Sequence, residues 1–579
     1  MARFVQGGQP VTEQSNELTT DIDTASPRGI VKILHACDKE IFKGWKDSKG
    51  INNDVILDKV VKIALKIKEV LKDPSSGAVV ITGCGTSGRL AFLTARTFNR
   101  YLTSRGKEPC FQYIISGEDK ALFTSQELAE DDPIFGAQAL EKTIQGKSKV
   151  VVIGVTCGLS APFVAGQLDY CLSHRDVCTP VLLGFNPSHM ARNIDIQNWN
   201  KTFLDVVKQM EKAEKSGAGF ILNPVIGPEP ITGSSRMKSG STTRILLETL
   251  SIAALEDYSR ATISLLFKMY EDVCTSVYKQ TESMASVIQL AGESLRSGGH
   301  IYYLGCDGFG LMGMIDASEC VPTYGASVDD IRGFVEGGFS VLCNNDGDIS
   351  NEGPYYRISL KDFEKDILPL IGHNDLIVLI GKEMINKVDL ASLASSQCKM
   401  VCMCFQPNST LCVQEPLENF AVVVDLKHDF STLDTVASDL AKVTMIRLLQ
   451  EIAVKWVLNG VSTGAHILKG KVLNNMMIDV KVSNNKLFHR ALGIIQKYSG
   501  ASDDECHLCL LKSIYNSDSP SEAQRSASIE DHIKAAFGVE KVVPKAILLA
   551  LSKSTVDQVR QMMEKQPIVR KLLMRQTQV

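Results

Sequence analysis

The sequence predicts an α/β protein built twice over: two tandem, doubly wound parallel sheets of flavodoxin-like type, followed by an all-α cap. Three observations predict it. Short apolar runs alternate with helical stretches, the rhythm of βαβ units. One such unit recurs, with HIYYLGCDGFGLMGMIDA (300–317) lying over AVVITGCGTSGRLAFLTA (78–95) without a gap. Beyond about residue 490 the strand-like runs stop.

Taken in order, residues 1–50 are polar and mixed, an arm with one helix near IVKILHACDKEIFKGW (30–45). VILDKVVKIALKIKEVLK (55–72) has helical apolar spacing. GAVVIT (77–82), CFQYIIS (110–116), KVVVIG (149–154) and TPVLLGF (179–185) are short and apolar, as parallel strands covered on both faces should be. In the second copy DLIVLIG (375–381) echoes VVVIG (150–154), and KMVCMCF (399–405) echoes TPVLLGF. The tail, LFHRALGIIQKYSG and then VVPKAILLALSKSTVDQVRQMMEKQPIVRKLL, reads as helices broken by Gly and Pro. The expected boundaries are an arm at 1–50, α/β domains at 51–265 and 285–490, and a cap at 491–579.

Composition bounds the function. A chain of 579 residues is too long for one core. Its net charge of −4 supplies no basic field, so nucleic acid is not the expected partner. No run is apolar and long enough to span a bilayer, and the start, MARFVQGGQPVTEQ, has no secretory apolar region, so no membrane is expected. Sixteen Cys in that context read as reduced thiols of the cytosol or nucleus. Cys506-His507-Leu508-Cys509 is a lone C-x-x-C with no second ligand pair, so it reads as helix positions, and neither metal nor cofactor is expected.

GCGTSGRL (83–90) carries the chemistry. Glycines let the backbone come close to a ligand, free N–H groups at a helix start favour negative charge, and Thr86 and Ser87 add donors, which makes an anion cradle. The second copy has Asp307-Gly308-Phe309 where the first has Gly85-Thr86-Ser87, and this carboxylate and phenyl ring would reject a phosphate. Conversely, Thr97 falls opposite Glu319. Each copy keeps what the other lacks, so one composite site would use all the parts.

GTSGR (85–89), GLSAPF (158–163), GPEPITGSSRMKSGS (227–241), DASEC (316–320) and STGAHILKGKVLNNMMIDVKVSNNKL (462–487) together resemble the sugar isomerase (SIS) superfamily. Within it they resemble the N-acetylmuramic acid 6-phosphate etherases and, more closely, the vertebrate glucokinase regulatory protein family, in which two SIS domains are fused with a helical cap. The resemblance implies a regulator without catalysis of its own, acting in nucleus and cytoplasm of liver-type cells. It would bind and inhibit glucokinase, modulated by fructose 6-phosphate or fructose 1-phosphate held between the SIS domains. By motif position, Thr86 and Ser87 would donate to the phosphate, and Glu130 in ELAED would meet sugar hydroxyls. Thr156, Cys157 and Gly158 would form a second donor turn, with Ser160 nearby. Ser234, Ser235 and Arg236 would add hydroxyls and one positive charge. Glu319 and Lys486 would reach across from the second half. The expected glucokinase contacts are Asp176 and Val177 in SHRDVCTP, and Thr435, Val436 and Ala437 in LDTVASDL.

Plainer readings stand beside these. Taken alone, Glu130 is a solvated loop charge, Lys486 a surface lysine, Arg236 a helix cap or a partner of Glu229, and Ser160 an N-cap. Three departures from the family pattern weaken the expected phosphosugar binding: Cys84 in place of Gly, Thr156 in place of Ser, and Glu118 at the second Gly of the relatives' AGGD stretch, where its charge would repel a dianion. The alternative function is an etherase-type lyase, with Glu319 and Glu130 as acid and base. A sugar-phosphate isomerase or an SIS-containing transcription regulator fits less well, because no helix-turn-helix or basic stripe precedes the first copy.

Overall fold

The computed structural model describes residues 9–124, 126–406, 420–552 and 554–576. Its first half opens with helices α1 (Pro27–Lys43) and α2 (Asp54–Val70), capped by the side chains of Ser26 and Asn53. There follow β1 (Gly77–Gly83), α3 (Gly85–Ser104), β2 (Phe111–Ile115), α4 (Pro133–Thr143), β3 (Lys149–Val155), α5 (Pro162–Ser173), β4 (Cys178–Leu183), α6 (Phe203–Lys215), β5 (Phe220–Leu222) and α7 (Lys238–Glu256). All five strands are parallel, in the order β2-β1-β3-β4-β5.

Helices α8 (Arg260–Lys279) and α9 (Thr281–Arg296) lead into the second half. It carries β6 (Ile301–Gly305), α10 (Asp307–Tyr324), β7 (Ile331–Val335), β8 (Leu376–Ile380), β9 (Lys399–Gln406), β10 (Val422–Lys427) and α11 (Asp439–Leu468). This sheet is also parallel, and its order, β7-β6-β8-β9-β10, is the first sheet's order again. The duplication is therefore topological as well as sequential. The cap contains α12 (Asn485–Ser499), α13 (Asp503–Tyr515), α14 (Ile529–Ala536), α15 (Val542–Ser552), α16 (Val556–Lys565) and α17 (Val569–Gln576) around its own apolar core.

In this strand order the chain reverses direction between the first and third strands of each sheet, and ligands bind α/β sheets at such a crevice. The loops after β1 and β3 both open there. The halves are not separate globules: one apolar core runs continuously from Ile22 in the first to Val472 after the second. Its middle is formed by α7, buried from Lys238 to Ala254, and α11, buried from Glu451 to Ile467. Both buried stretches carry charged side chains, and burying charge demands partners close at hand. The fifteen described cysteines are free thiols, and Cys506 and Cys509 are buried on α13 among the cap's apolar residues. Among the described residues no helix is long and apolar enough to cross a membrane, and no His, Cys, Asp and Glu cluster could hold a metal.

Candidate functional site

The site starts at the N-terminus of α3. Gly85 has φ +50°, a left-handed turn that brings the chain from strand to helix, and no side chain caps the helix. Gly88 lets α3 lie on β2, since a Cβ there would stand 2.4 Å from Ile115 Cγ1. Thr86 and Ser87 therefore sit on an uncapped first turn whose dipole favours an anion.

Two adjoining cavities open on this turn. The larger, about 550 Å3, is lined by Thr86, Glu130, Ser234, Ser235, Arg236 and Glu319 among others, and it extends to Asp479, Lys481 and Arg490 towards the cap. The smaller, about 190 Å3, is lined by Ser87, Thr156, Cys157, Gly158 and Ser160, and it shares Cys84, Glu130 and Ser235 with the first. Eleven of the twelve ligand-site residues expected from the sequence thus line one compound cavity. The twelfth, Lys486, lies in the first turn of α12, and its side chain is outside the described residues.

Each wall has a local cause. Thr156 Oγ1 accepts from the N–H groups of Ser160 and Ala161 at 3.2 and 3.3 Å, closing the turn that starts α5 and leaving its own proton to give. Ser160 is therefore not the cap of α5. Ser87 Oγ faces Cys157 Sγ at 3.7 Å, which joins the two donor turns. Glu130 lies on a short 3-10 turn, Glu127–Asp131, with its carboxylate beside Gly85. Glu319 comes from α10 of the other half, and the Thr86 hydroxyl lies against its carboxyl. Burial pushes that carboxyl's pKa up, while the charges of Arg89, Arg236 and Lys455 hold it back.

Arg236 departs from expectation. Most of its donors are used within the protein: Nη1 donates to Asp316 at 2.8 Å, and Nη2 donates to Tyr324, Ser462 and Thr463, which leaves Nε without a partner among the described residues. Glu229, the alternative partner, instead caps α7 by accepting from Lys238 and Ser239 N–H at 2.8 Å each. An unexpected buried cation on the wall is Arg89, with Nε and Nη2 donating to the carbonyls of Leu122 and Thr124. GTSGR displays this residue, but only the path of the 119–124 turn reveals where its guanidinium lies. Glu118 corrects a second expectation. Its side chain is exposed and does not line either cavity, so the expected charge repulsion has no structural basis. What the substitution leaves is backbone strain, at φ 58° and ψ −162°, a region suited to Gly.

The second loop is built differently. Asp307 is held by Arg96 and Arg100 of α3, the latter at 2.6 Å. Phe309 stacks on Phe405 at 4.6 Å, with the Arg447 guanidinium 3.6 Å above its ring. Of the expected partner contacts, Asp176 and Thr435 are exposed, while Val177, Val436 and Ala437 are half-buried and pack on apolar cores.

Comparison with known proteins gives matches along nearly the whole chain. The N-terminal SIS domain of glucokinase regulatory protein matches residues 62–172, its second SIS domain residues 278–469, and its C-terminal lid domain residues 474–573. The glucokinase regulatory protein of Xenopus laevis is 39% identical over 570 residues, covering 95% of this chain and 90% of that one. The chain belongs to the glucokinase regulatory protein family. The Homo sapiens member is 37% identical over 564 residues, covering 95% and 89% of the two chains. An N-acetylmuramic acid 6-phosphate etherase from Symbiobacterium thermophilum is 30% identical over 237 residues, covering 40% of this chain and 72% of that one. Membership fixes the two SIS domains and helical lid, and it supports a role in glucokinase regulation.

Asp316→Ala leaves Arg236 buried without its counter-charge, so it should lower the free energy of unfolding in urea by about 3–5 kcal/mol. The double change Arg236→Met with Asp316→Leu should recover most of that loss. Glu118→Gly should raise stability by about 1 kcal/mol by relieving the backbone, read as a higher thermal midpoint.

Proposed function

We propose that this chain binds and inhibits a glucokinase, in nucleus and cytoplasm, and that a fructose phosphate in the composite cavity modulates that contact. One observation carries the ligand reading. Ser234 Oγ, Arg236 Nε and Glu319 Oε1 lie buried on the wall of the larger cavity and, among the described residues, lack a hydrogen-bond partner. Buried polar atoms without partners are costly, and a hydroxylated ligand would supply them. The uncapped α3 turn with Thr86 and Ser87 suits the phosphate, and the carboxylates Glu130 and Glu319 suit sugar hydroxyls. Because the cavity wall draws on both halves, a ligand that prefers one arrangement of the halves would bias a partner docked across them.

A lyase reading has one observation in its favour. Burial raises the Glu319 pKa, which suits a general acid, and Glu130 lies on the same cavity. Against it stands the agreement with the regulator family over the whole chain, where the etherase covers 40%.

Titrating glucokinase with the protein should raise the enzyme's apparent glucose requirement, and fructose 6-phosphate should change the effect. Asp176→Arg and Thr435→Arg, both at exposed positions, should weaken the inhibition without loss of folding. An absence of binding by the wild type would end the regulator reading. Ser87→Gln, which fills the smaller cavity, should abolish the thermal shift given by fructose 6-phosphate. Incubation with N-acetylmuramic acid 6-phosphate should release no lactate, and release that disappears in Glu319→Ala would move the protein to the lyases.

A further inference from the structure

An i,i+4 pair on each of the two central helices sets them in a common register. On α7, Arg244 donates to Glu248 four positions on, at 2.6 Å; on α11, Lys455 donates to Asn459 four positions on, at 2.7 Å. In that frame Gly240 stands opposite Glu451, just as Thr86 stands opposite Gly308 in the loops. The contacts repeat with the parts exchanged. A Cβ on Gly308 would stand 1.8 Å from Glu451 Oε1, whereas one on Gly240 would stand 3.4 Å from Thr86 Cγ2 and 3.5 Å from Lys455 Nζ. Each loop–helix contact therefore has one glycine and one side chain.

In the second half the side chain is Glu451, whose carboxylate is gripped by Arg244 at 2.6 Å and Arg447 at 3.2 Å. That half carries its own anion. In the first half Gly240 offers none, and Lys455, the counterpart of Arg244, turns elsewhere. Its Nζ donates to the carbonyls of Arg236 and Met237 at 2.8 and 3.3 Å and to Ser241 Oγ at 3.1 Å, besides Asn459. The turn it holds contains Ser234 and Ser235 on the cavity wall.

We propose that Lys455 is a positioning residue of the phosphosugar site: its ammonium, delivered from the second half, fixes the Ser234–Met237 turn so that the serine hydroxyls stay on the cavity wall. The proposal rests on the reading that this cavity binds a phosphosugar. The charge is essential to the role. Four acceptors surround Nζ; an ammonium has three N–H donors for them, and a neutral amine has two and a lone pair that faces a carbonyl.

Burial lowers the Lys455 pKa to about 8. The groups facing it are Glu319 and Asp316 on α10 and Asp38 on α1, which favour the charged form, and Arg236 in the turn, which opposes it. An anionic ligand nearby favours the ammonium, so binding takes up a proton once the pH exceeds about 8. Affinity should then fall as pH rises, by at most tenfold per unit.

The test is calorimetric titration of the full chain with fructose 6-phosphate, and with inorganic phosphate as second probe, from pH 6.5 to 9.5. Wild type should hold its affinity to about pH 8 and lose roughly tenfold by pH 9.5. Lys455→Arg, which stays charged, should show no such fall. Lys455→Met should bind at least tenfold more weakly at pH 7, with no fall above pH 8. A Lys455→Met protein with the affinity and profile of the wild type overturns the proposal. If Lys455→Met does not fold, Lys455→Arg decides, and a wild-type profile in that variant overturns it equally. Wild type that binds neither probe at any pH overturns the phosphosugar reading itself, and this proposal with it.

Discussion

The buried ion pair between Arg236 and Asp316 is the constraint on which the site depends. The two side chains are 2% and 3% exposed, and 2.8 Å apart. Removing two such charges from water costs several kcal/mol each, so neither can leave the other without a large penalty. Arg236 belongs to the turn before α7 in the first half, and Asp316 to α10 in the second. Asn459 and Ser462 of α11 donate to the same Asp316 oxygen, at 2.7 and 3.1 Å. The turn that carries Ser234 and Ser235 is thereby tied to the opposite half. Glu319, one helical turn beyond Asp316, is delivered to Thr86 by the same tie.

From this tie follows the asymmetry of the duplicated fold. Two topologically equal crevices exist, but the helices that bring charge to them were altered in opposite senses. The second crevice is filled by Glu451, Phe309 and the arginines that hold them. The first keeps its glycine at 240 and its hydroxyls at 86 and 87. One copy lines the compound cavity, while the other anchors the two halves to each other.

Much of the fold was legible in the sequence. The strands of GAVVIT, KVVVIG and TPVLLGF are apolar on both faces, and the gap-free match of residues 78–95 to 300–317 announced the repeat. Three strands left no such trace: β5 has three residues, β7 is interrupted by Arg332 and Gly333, and β10 is a sheet-edge strand with Asp425 within it. In the site, motif order picked out residues that the fold brings to one compound cavity, the two turns and Glu319 among them. Motifs could not foretell how charges are paired. Arg236 looked available for a ligand because Asp316, eighty positions away, gives no local sign of being its partner. Lys455 and Arg89 escaped for the same reason: Lys455 lies in an unremarkable helical stretch and Arg89 ends a conspicuous motif, but the meaning of each comes from carbonyls on a distant turn. Glu118 misled in the other direction, since sequence position suggested proximity that the direction of the side chain denies.

The central claim is that two crevices share one ligand site, assembled from both halves. Equilibrium dialysis of the full chain against labelled fructose 6-phosphate measures this directly, as moles bound per mole of chain at saturation. The account predicts a single site, lost when Glu319 of the second half is replaced by Ala, although the phosphate turn lies in the first. Two sites per chain, or one site indifferent to Glu319→Ala, would contradict it.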